Sequence, residues 1–114
     1  FLGQNNKIEY IQPDVTKYGG ISLISNLSKK IQSNKIWMHF LGSGVGLLTS
    51  AHIMSAINPS AFLETDVNIN PLRTNLFKNE LKIEGGKINF NDDHGIGGPL
   101  DFDTINKYLI SSNV

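Results

Sequence analysis

The chain has 114 residues, of which 10 are basic and 10 acidic, so it carries no formal net charge and is long enough for one modest domain. Its basic residues are scattered rather than clustered, which excludes a basic nucleic-acid or anionic-membrane surface, and no apolar run is long enough to span a bilayer. Cysteine is absent, which excludes disulfides and thiolate metal sites, and we expect a cytoplasmic protein.

The first part of the chain alternates strand and helix patterns. Residues 7–12 form a β-prone run that ends at Pro13, because proline lacks a backbone donor. After a pair of glycines, apolar residues recur at helical spacing from Ile21 and predict an amphipathic helix that extends to about Ser33. Residues 35–40 are apolar on both faces, which is typical of a strand buried in a parallel sheet.

A glycine-rich turn at residues 42–44 leads into a second predicted helix, residues 45–57. Pro59 follows it, and the residue before a proline disfavours the helical region, so the helix ends there. His52 falls on a flank of this helix, where we expect a structural role. Residues 62–67 then give a third strand pattern.

The pattern changes after the third strand. Residues 81–84 and 87–90 flank two consecutive glycines, which is typical of a two-residue hairpin loop. A glycine-rich loop at residues 94–98 precedes Asp103 and a short amphipathic helix. We therefore predict a hairpin and a helix as an appendage to the strand-and-helix part.

The order strand, helix, strand, helix, strand predicts an α/β fold with a parallel sheet and right-handed crossovers. Three parallel strands leave both edges of the sheet uncovered, whereas parallel sheets are normally wide and buried. We therefore expect the sheet to continue in another polypeptide segment.

Three ionisable residues lie at the carboxyl ends of the predicted strands, where function collects in α/β folds: Asp14, His39 and Glu64. Because neighbouring strands lie about 4.8 Å apart, the Asp14 carboxylate is predicted to reach the His39 imidazole. There it would hold one imidazole tautomer and stabilise the imidazolium, as a general base requires. Held protonated, Glu64 is suited to donate to a substrate oxygen. Two simpler roles stay open, a structural histidine and a turn-forming Asp14.

The glycine-rich segment at residues 42–46 does not complete a dinucleotide-binding fingerprint, because Leu47 stands in the place of the final glycine. A tight strand-to-helix turn and a set of backbone donors for an anionic group both explain this segment. A nucleotide-binding, flavodoxin-like domain is disfavoured because the chain has no phosphate loop.

Three ordered blocks resemble the mandelate-racemase branch of the mandelate racemase and muconate lactonizing enzyme family, within the enolase superfamily. Residues 11–22 (IQPDVTKYGGIS) resemble its sixth barrel strand and the following turn, residues 38–57 (MHFLGSGVGLLTSAHIMSAI) its seventh strand end and helix, and residues 62–77 (FLETDVNINPLRTNLF) its eighth strand. Residues 81–109 are similar to the stretch that leaves the barrel for the capping domain. The likeness is in register over nearly the whole chain.

The resemblance implies the C-terminal part of a TIM-type (β/α)7β barrel. Residues 1–79 would form the last three parallel strands with their helices, and residues 80–114 an extension towards the capping domain. His39 matches the base that removes the proton α to a carboxylate, Asp14 matches its partner, and Glu64 matches the electrophilic carboxyl that binds the substrate. A lysine base, used by another branch, is not seen, because Asp14 occupies its place.

The same resemblance implies Mg²⁺ in the parent enzyme, with ligands upstream of this chain, so we expect no metal ligand here and no turnover by the chain alone. The implied parent is an acid-sugar dehydratase that forms an enediolate from a small carboxylate substrate, with a racemase or a sugar-lactone cycloisomerase as alternatives. The implied partners are the rest of the barrel, the capping domain and further copies in a homo-oligomer. A different class stays open, a non-catalytic α/β fragment that associates through its uncovered strand edges.

Overall fold

The computed structural model describes residues 7–79, 83–90 and 92–110. Within these residues the fold mixes α-helices with a small antiparallel sheet, and none of the helices has the length and apolar character needed to cross a membrane. The helices are α1 (Gly20–Ser28), α2 (Gly44–Ile57), α3 (Pro71–Thr74) and α4 (Phe102–Tyr108), the strands are β1 (Ile83–Glu84) and β2 (Lys87–Ile88), and a 3-10 turn spans Ser33–Lys35.

The first two predicted strands run side by side and parallel, but they share a single β-bridge between Ile11 and Ile36. The strands predicted over residues 7–12 and 35–40 are therefore too long. Pro13 has no backbone donor with which to extend the ladder. The backbone hydrogen bonds that hold the pair are Ile11 N to Lys35 O at 2.8 Å, Trp37 N to Ile11 O at 3.1 Å and His39 N to Pro13 O at 3.1 Å.

The third predicted strand, residues 62–67, is not a strand in the described part of the chain. A strand is defined by backbone hydrogen bonds to a neighbouring strand. No β-bridge between described residues joins this segment to residues 35–40. The two segments still lie close together, because the rings of Trp37 and Phe62 pack edge-on with centroids 5.6 Å apart. The predicted three-stranded sheet is thus reduced to one bridged pair with a third segment beside it.

The hydrophobic core joins α1 and α2 to one face of the bridged pair. Ile36 and Met38 are completely buried there, and removing such a side chain from water contributes about 1.5–3 kcal/mol. The buried core residues are Val15, Ile24, Leu27, Ile31, Ile36, Met38, Ile53 and Met54.

Helix α1 is shorter than the sequence predicts, because it ends at Ser28 rather than near Ser33. The Ser28 hydroxyl donates to the carbonyl oxygen of Ser25 at 2.8 Å, and such local bonding competes with the helical ladder. Ile31 nevertheless reaches the core beyond the helix end. At the other end, Gly19 has φ 81°, a left-handed conformation that favours glycine.

The predicted hairpin is confirmed, with β1 and β2 paired antiparallel and joined by two glycines of positive φ. Each strand is only two residues long, and Leu81 lies outside the described residues. The extension is tied to the preceding chain by an antiparallel bridge between Phe77 and Leu100. The division into residues 1–79 and 80–114 stays a prediction.

Candidate active site

The Asp14 carboxylate is buried and is held by its own turn. Its side chain is only 9% exposed. Oδ1 accepts hydrogen bonds from the Thr16 backbone N–H at 2.8 Å and from the Thr16 hydroxyl at 2.6 Å, while Oδ2 accepts one from the Lys17 ammonium at 2.6 Å. Asp14 therefore does form a turn, and the same carboxylate has a further contact with a more distant residue.

The surroundings of Asp14 keep it ionised. Burial raises the pKa of this carboxyl, because water no longer solvates its charge. The hydrogen bonds from Lys17, Thr16 and His39 outweigh that effect and hold the pKa well below its usual range. The group is therefore a carboxylate near neutral pH, as the partner of a basic imidazole must be.

The His39 ring faces this carboxylate. The His39 backbone N–H donates to the Pro13 carbonyl oxygen, which brings the two segment ends together. Nδ1 lies 3.3 Å from Asp14 Oδ2, and the side chain is 40% exposed. Opposite a carboxylate, Nδ1 carries the ring proton and Nε2 keeps its lone pair. No described residue forms a hydrogen bond with Nε2.

Glu64 is not joined to this pair. It is exposed and accepts a hydrogen bond from the Gln12 side-chain amide at 3.4 Å. Among the described residues, no hydrogen bond or ion pair links Glu64 to Asp14 or His39. The structure thus brings together two of the three residues that the sequence singled out.

Six side chains from the three segments share one surface, which we call the open face. Their sequence neighbours Ile11, Ile36, Met38 and Leu63 pack in or against the core, so the alternate positions point the other way. The open face has an aromatic row, in which the Tyr10 and Trp37 centroids are 4.2 Å apart, and a polar row that includes the Gln12–Glu64 hydrogen bond. Its members are Tyr10, Trp37 and Phe62 in the first row and Gln12, His39 and Glu64 in the second.

Sequence reasoning did not single out Gln12, Thr16 or Lys17. A signal was present for Thr16, because an aspartate side chain commonly bonds the backbone two residues further on. Gln12 could also have been identified from the sequence, because it alternates with Ile11 and therefore shares a face with the residue at position 14. Lys17 offered no such signal, because a long flexible side chain reaches many neighbours.

The donor groups of the site do not by themselves fit a divalent cation. Within residues 7–79, 83–90 and 92–110, no group of three or more His, Asp or Glu side chains is arranged to hold a metal ion. Both oxygens of Asp14 are already engaged by Thr16, Lys17 and His39. Among the described residues, the pair is therefore not a ligand set for a divalent cation.

A cavity of about 710 Å³ lies away from the pair, between α2, α3 and the hairpin, and neither Asp14 nor His39 lines it. His52 contributes to its wall and stacks on Phe90 with centroids 4.2 Å apart. The His52 Nε2 also lies 3.1 Å from the Ile96 carbonyl oxygen. These contacts hold the C-terminal extension against α2, which is a structural role.

The chain belongs to the family described as enolase C-terminal domain-like, whose model matches residues 2–104. This is an α/β family, and its superfamily consists of enzymes that generally use Mg²⁺. An arabinonate dehydratase from Saccharolobus solfataricus is similar to the chain, with 26% identity over 107 residues, which are 92% of the chain and 28% of that protein. The chain thus spans little more than a quarter of the length of this relative.

Proposed function

We propose that the chain is a segment of an acid-sugar dehydratase and supplies the base that removes the proton α to the substrate carboxylate. The observation that carries this proposal is the His39–Asp14 pair, in which the imidazole lies 3.3 Å from a carboxylate that is kept ionised. Membership of the enolase family and the similarity to an arabinonate dehydratase support this choice of chemistry.

In the proposed reaction, Nε2 of His39 takes the α-proton, and the C–H electron pair moves into the substrate carboxylate to give an enediolate. The enediolate then expels the β-hydroxyl, which leaves as water with the proton carried by the His39 imidazolium, and the resulting enol tautomerises to a 2-keto-3-deoxy acid. Asp14 orients the ring through Nδ1 and lies beside the imidazolium that forms.

Glu64 is assigned to the substrate carboxylate. It lies on the open face with His39, and among the described residues it forms no hydrogen bond or ion pair with Asp14 or His39. A protonated carboxyl in this place donates a hydrogen bond to the oxygen on which negative charge develops. Gln12 holds one Glu64 oxygen at 3.4 Å and so restrains its position.

We further propose that the open face lines the inside of a (β/α)7β barrel, with residues 1–79 contributing the last three strands and residues 80–114 the extension towards a capping domain. Inward side chains of such barrels stack in layers contributed by several strands. The aromatic row and the polar row fit two such layers. Helices α1 and α2 cover the opposite face, where the outer ring of helices lies.

The cofactor proposed for the parent is Mg²⁺, which when bound would supply positive charge to stabilise the negative charge that develops on the substrate. Its ligands are assigned to residues outside this chain, as the resemblance to the mandelate-racemase branch implies. Without such charge an α-proton is too weakly acidic for an imidazole, so we predict no turnover by the 114-residue chain alone. Calorimetric titration of the chain with Mg²⁺ tests the ligand assignment, and tight stoichiometric binding would contradict it.

The role of His39 is tested in the full-length enzyme by following α-proton exchange with D₂O by NMR. We expect His39→Asn to slow exchange by about 10²–10⁴-fold, the usual contribution of a positioned base. His94→Asn serves as the matched control, because His94 is exposed on a loop of the extension. Exchange at the wild-type rate in His39→Asn would overturn the assignment.

A racemase or a sugar-lactone cycloisomerase is the alternative within the same chemistry, because both also begin with α-proton removal. The products separate them: a dehydratase gives a 2-keto acid, a racemase gives the opposite configuration at the α-carbon, and a cycloisomerase opens or closes a lactone. Incubation of the full-length enzyme with a library of aldonic and aldaric acids, followed by product analysis, decides between the three.

A non-catalytic associating fragment is the second candidate, and the exposed apolar side chains beside the third segment favour it. Phe62, Val67 and Ile69 are 75%, 94% and 98% exposed, and apolar groups so placed are usually covered in an assembly. In this alternative the chain pairs with further copies of itself. Sedimentation velocity of the chain tests it, and a monomer at all concentrations would exclude self-association.

A further inference from the structure

Hydrogen bonds within its own turn fix the position of the Asp14 carboxylate. Two donors of Thr16 bind Oδ1, the hydroxyl at 2.6 Å and the backbone N–H at 2.8 Å. The contact of Oδ2 with His39 Nδ1 is longer, at 3.3 Å. The shorter and more numerous bonds therefore come from the turn, and the carboxylate orients the imidazole rather than the reverse.

Lys17 also binds the carboxylate, but it is a weaker restraint on geometry. Its side chain is 62% exposed and its ammonium shares Oδ2 with His39. Exposed ion pairs of long side chains contribute little net free energy. Thr16 carries no charge, and both of its donors bind Oδ1 rather than the oxygen that faces His39.

Thr16 is itself held in place by packing. A Cβ atom built at Gly46 would lie 3.0 Å from Thr16 Cγ2, so the Thr16 methyl group packs close to the first turns of α2. A β-branched side chain has few rotamers, and fixing its methyl group also fixes its hydroxyl. The helix that follows His39 thus orients the hydroxyl that holds Asp14.

We propose that Thr16 is a positioning residue, which fixes the Asp14 carboxylate so that Oδ2 faces Nδ1 of His39 and Nε2 remains the unprotonated nitrogen. Only the consequence for turnover rests on the proposed function. The consequence for the tautomer of His39 follows from the hydrogen bonds alone, since a neutral imidazole has one N–H and places it opposite the carboxylate.

Thr16→Val tests the proposal, because it removes the hydroxyl and keeps the branched shape, and Thr16→Ser is the matched control, which keeps the hydroxyl and loses the methyl group. Long-range ¹H–¹⁵N spectra of the labelled chain report the tautomer of each of its three histidines, and His39→Asn identifies the His39 signals. We expect the proton on Nδ1 in the wild type and in Thr16→Ser, and a shift of population towards Nε2–H in Thr16→Val.

In the full-length enzyme we expect Thr16→Val to lower kcat about tenfold with KM nearly unchanged, which corresponds to the loss of roughly one hydrogen bond. Thr16→Ser should stay within about twofold of the wild type. If Thr16→Val does not fold, Thr16→Ala compared with Thr16→Ser poses the same question.

An unchanged His39 tautomer in Thr16→Val would overturn the proposal. So would equal effects of Thr16→Ser and Thr16→Val, because the methyl packing and not the hydroxyl would then be responsible. A tautomer shift without any change in kcat would support the role of Thr16 and count against His39 as the base, so the two proposals fail separately.

Discussion

The segment that carries His39 has two faces, which differ in how far the rest of the described chain covers them. Ile36 and Met38 are fully buried under α1 and α2, so this face is finished within the described chain. Trp37 and His39 alternate with them on the open face, where the His39 side chain is 40% exposed and Phe62 is 75% exposed. The same few residues thus belong to a buried core and to an exposed surface.

The difference follows from sequence distance. The helices that cover the buried face are the connections between consecutive segments, so their contacts are local in the chain and form without any other part. A surface that several parallel strands share depends on strands that are distant in sequence. The chain therefore places the candidate base by itself, but it does not enclose it.

Met38→Ala and His39→Asn compare how much the two faces contribute to the free energy of unfolding. We expect Met38→Ala to lower the free energy of unfolding by about 2–5 kcal/mol, because it leaves a cavity in the core. His39→Asn, at the adjacent position, should cost about 1 kcal/mol or less, because its surroundings are half open. Urea denaturation of the chain, followed by far-UV circular dichroism, measures both. Equal losses would mean that the open face contributes to stability as much as the core does.

The Asp14 carboxylate is buried next to His39, and its contribution to stability should depend on pH. Its pKa is lowered on folding, so its contacts stabilise the folded state fully above the unfolded value of about 3.9 and lose this effect as the pH falls below it and through the lowered pKa. We expect Asp14→Asn to cost about 1–2 kcal/mol at pH 7. The difference between wild type and variant should shrink steadily below about pH 4. Lys17→Met shows how much of it comes from the ammonium, and a difference independent of pH would contradict the ionised contacts.

Local signals predicted three of the four described helices and the hairpin, but they missed α3 and predicted the strands poorly. Apolar spacing located α1 and α2, and two glycines with positive φ located the hairpin turn. The end of α1 was placed too late, because a hydrogen bond between the Ser28 hydroxyl and the Ser25 carbonyl oxygen is invisible in a hydrophobic pattern. Residues 62–67 have the composition of a strand, but a strand also needs a ladder partner, which composition does not supply.

The geometry of the candidate site was likewise predicted only in part from the sequence. The proximity of Asp14 and His39 follows from two parallel segments that end together, and the structure has this arrangement at 3.3 Å. The hydrogen bond from the Thr16 hydroxyl to Asp14 depends on side-chain rotamers and on packing against Gly46. The positions of residues at strand ends do not predict either. Whether Glu64 acts with the pair stays a prediction, because nothing between them in the described chain fixes their relation.

Phe62→Ala should have a small effect in this chain and reveals whether the open face is covered in a larger protein. The Phe62 ring is 75% exposed and touches Trp37 edge-on, so we expect a loss of only about 0.5–1.5 kcal/mol, the usual value of an aromatic pair. In the full-length enzyme the same substitution should cost about 3–5 kcal/mol, because the ring would then lie in a layer of a barrel. Phe62→Leu, which keeps most of the apolar volume, is the matched control in both proteins. Denaturation of the two Phe62→Ala variants gives the comparison, and equal losses would show that this ring stays exposed and that the open face is not the inside of a barrel.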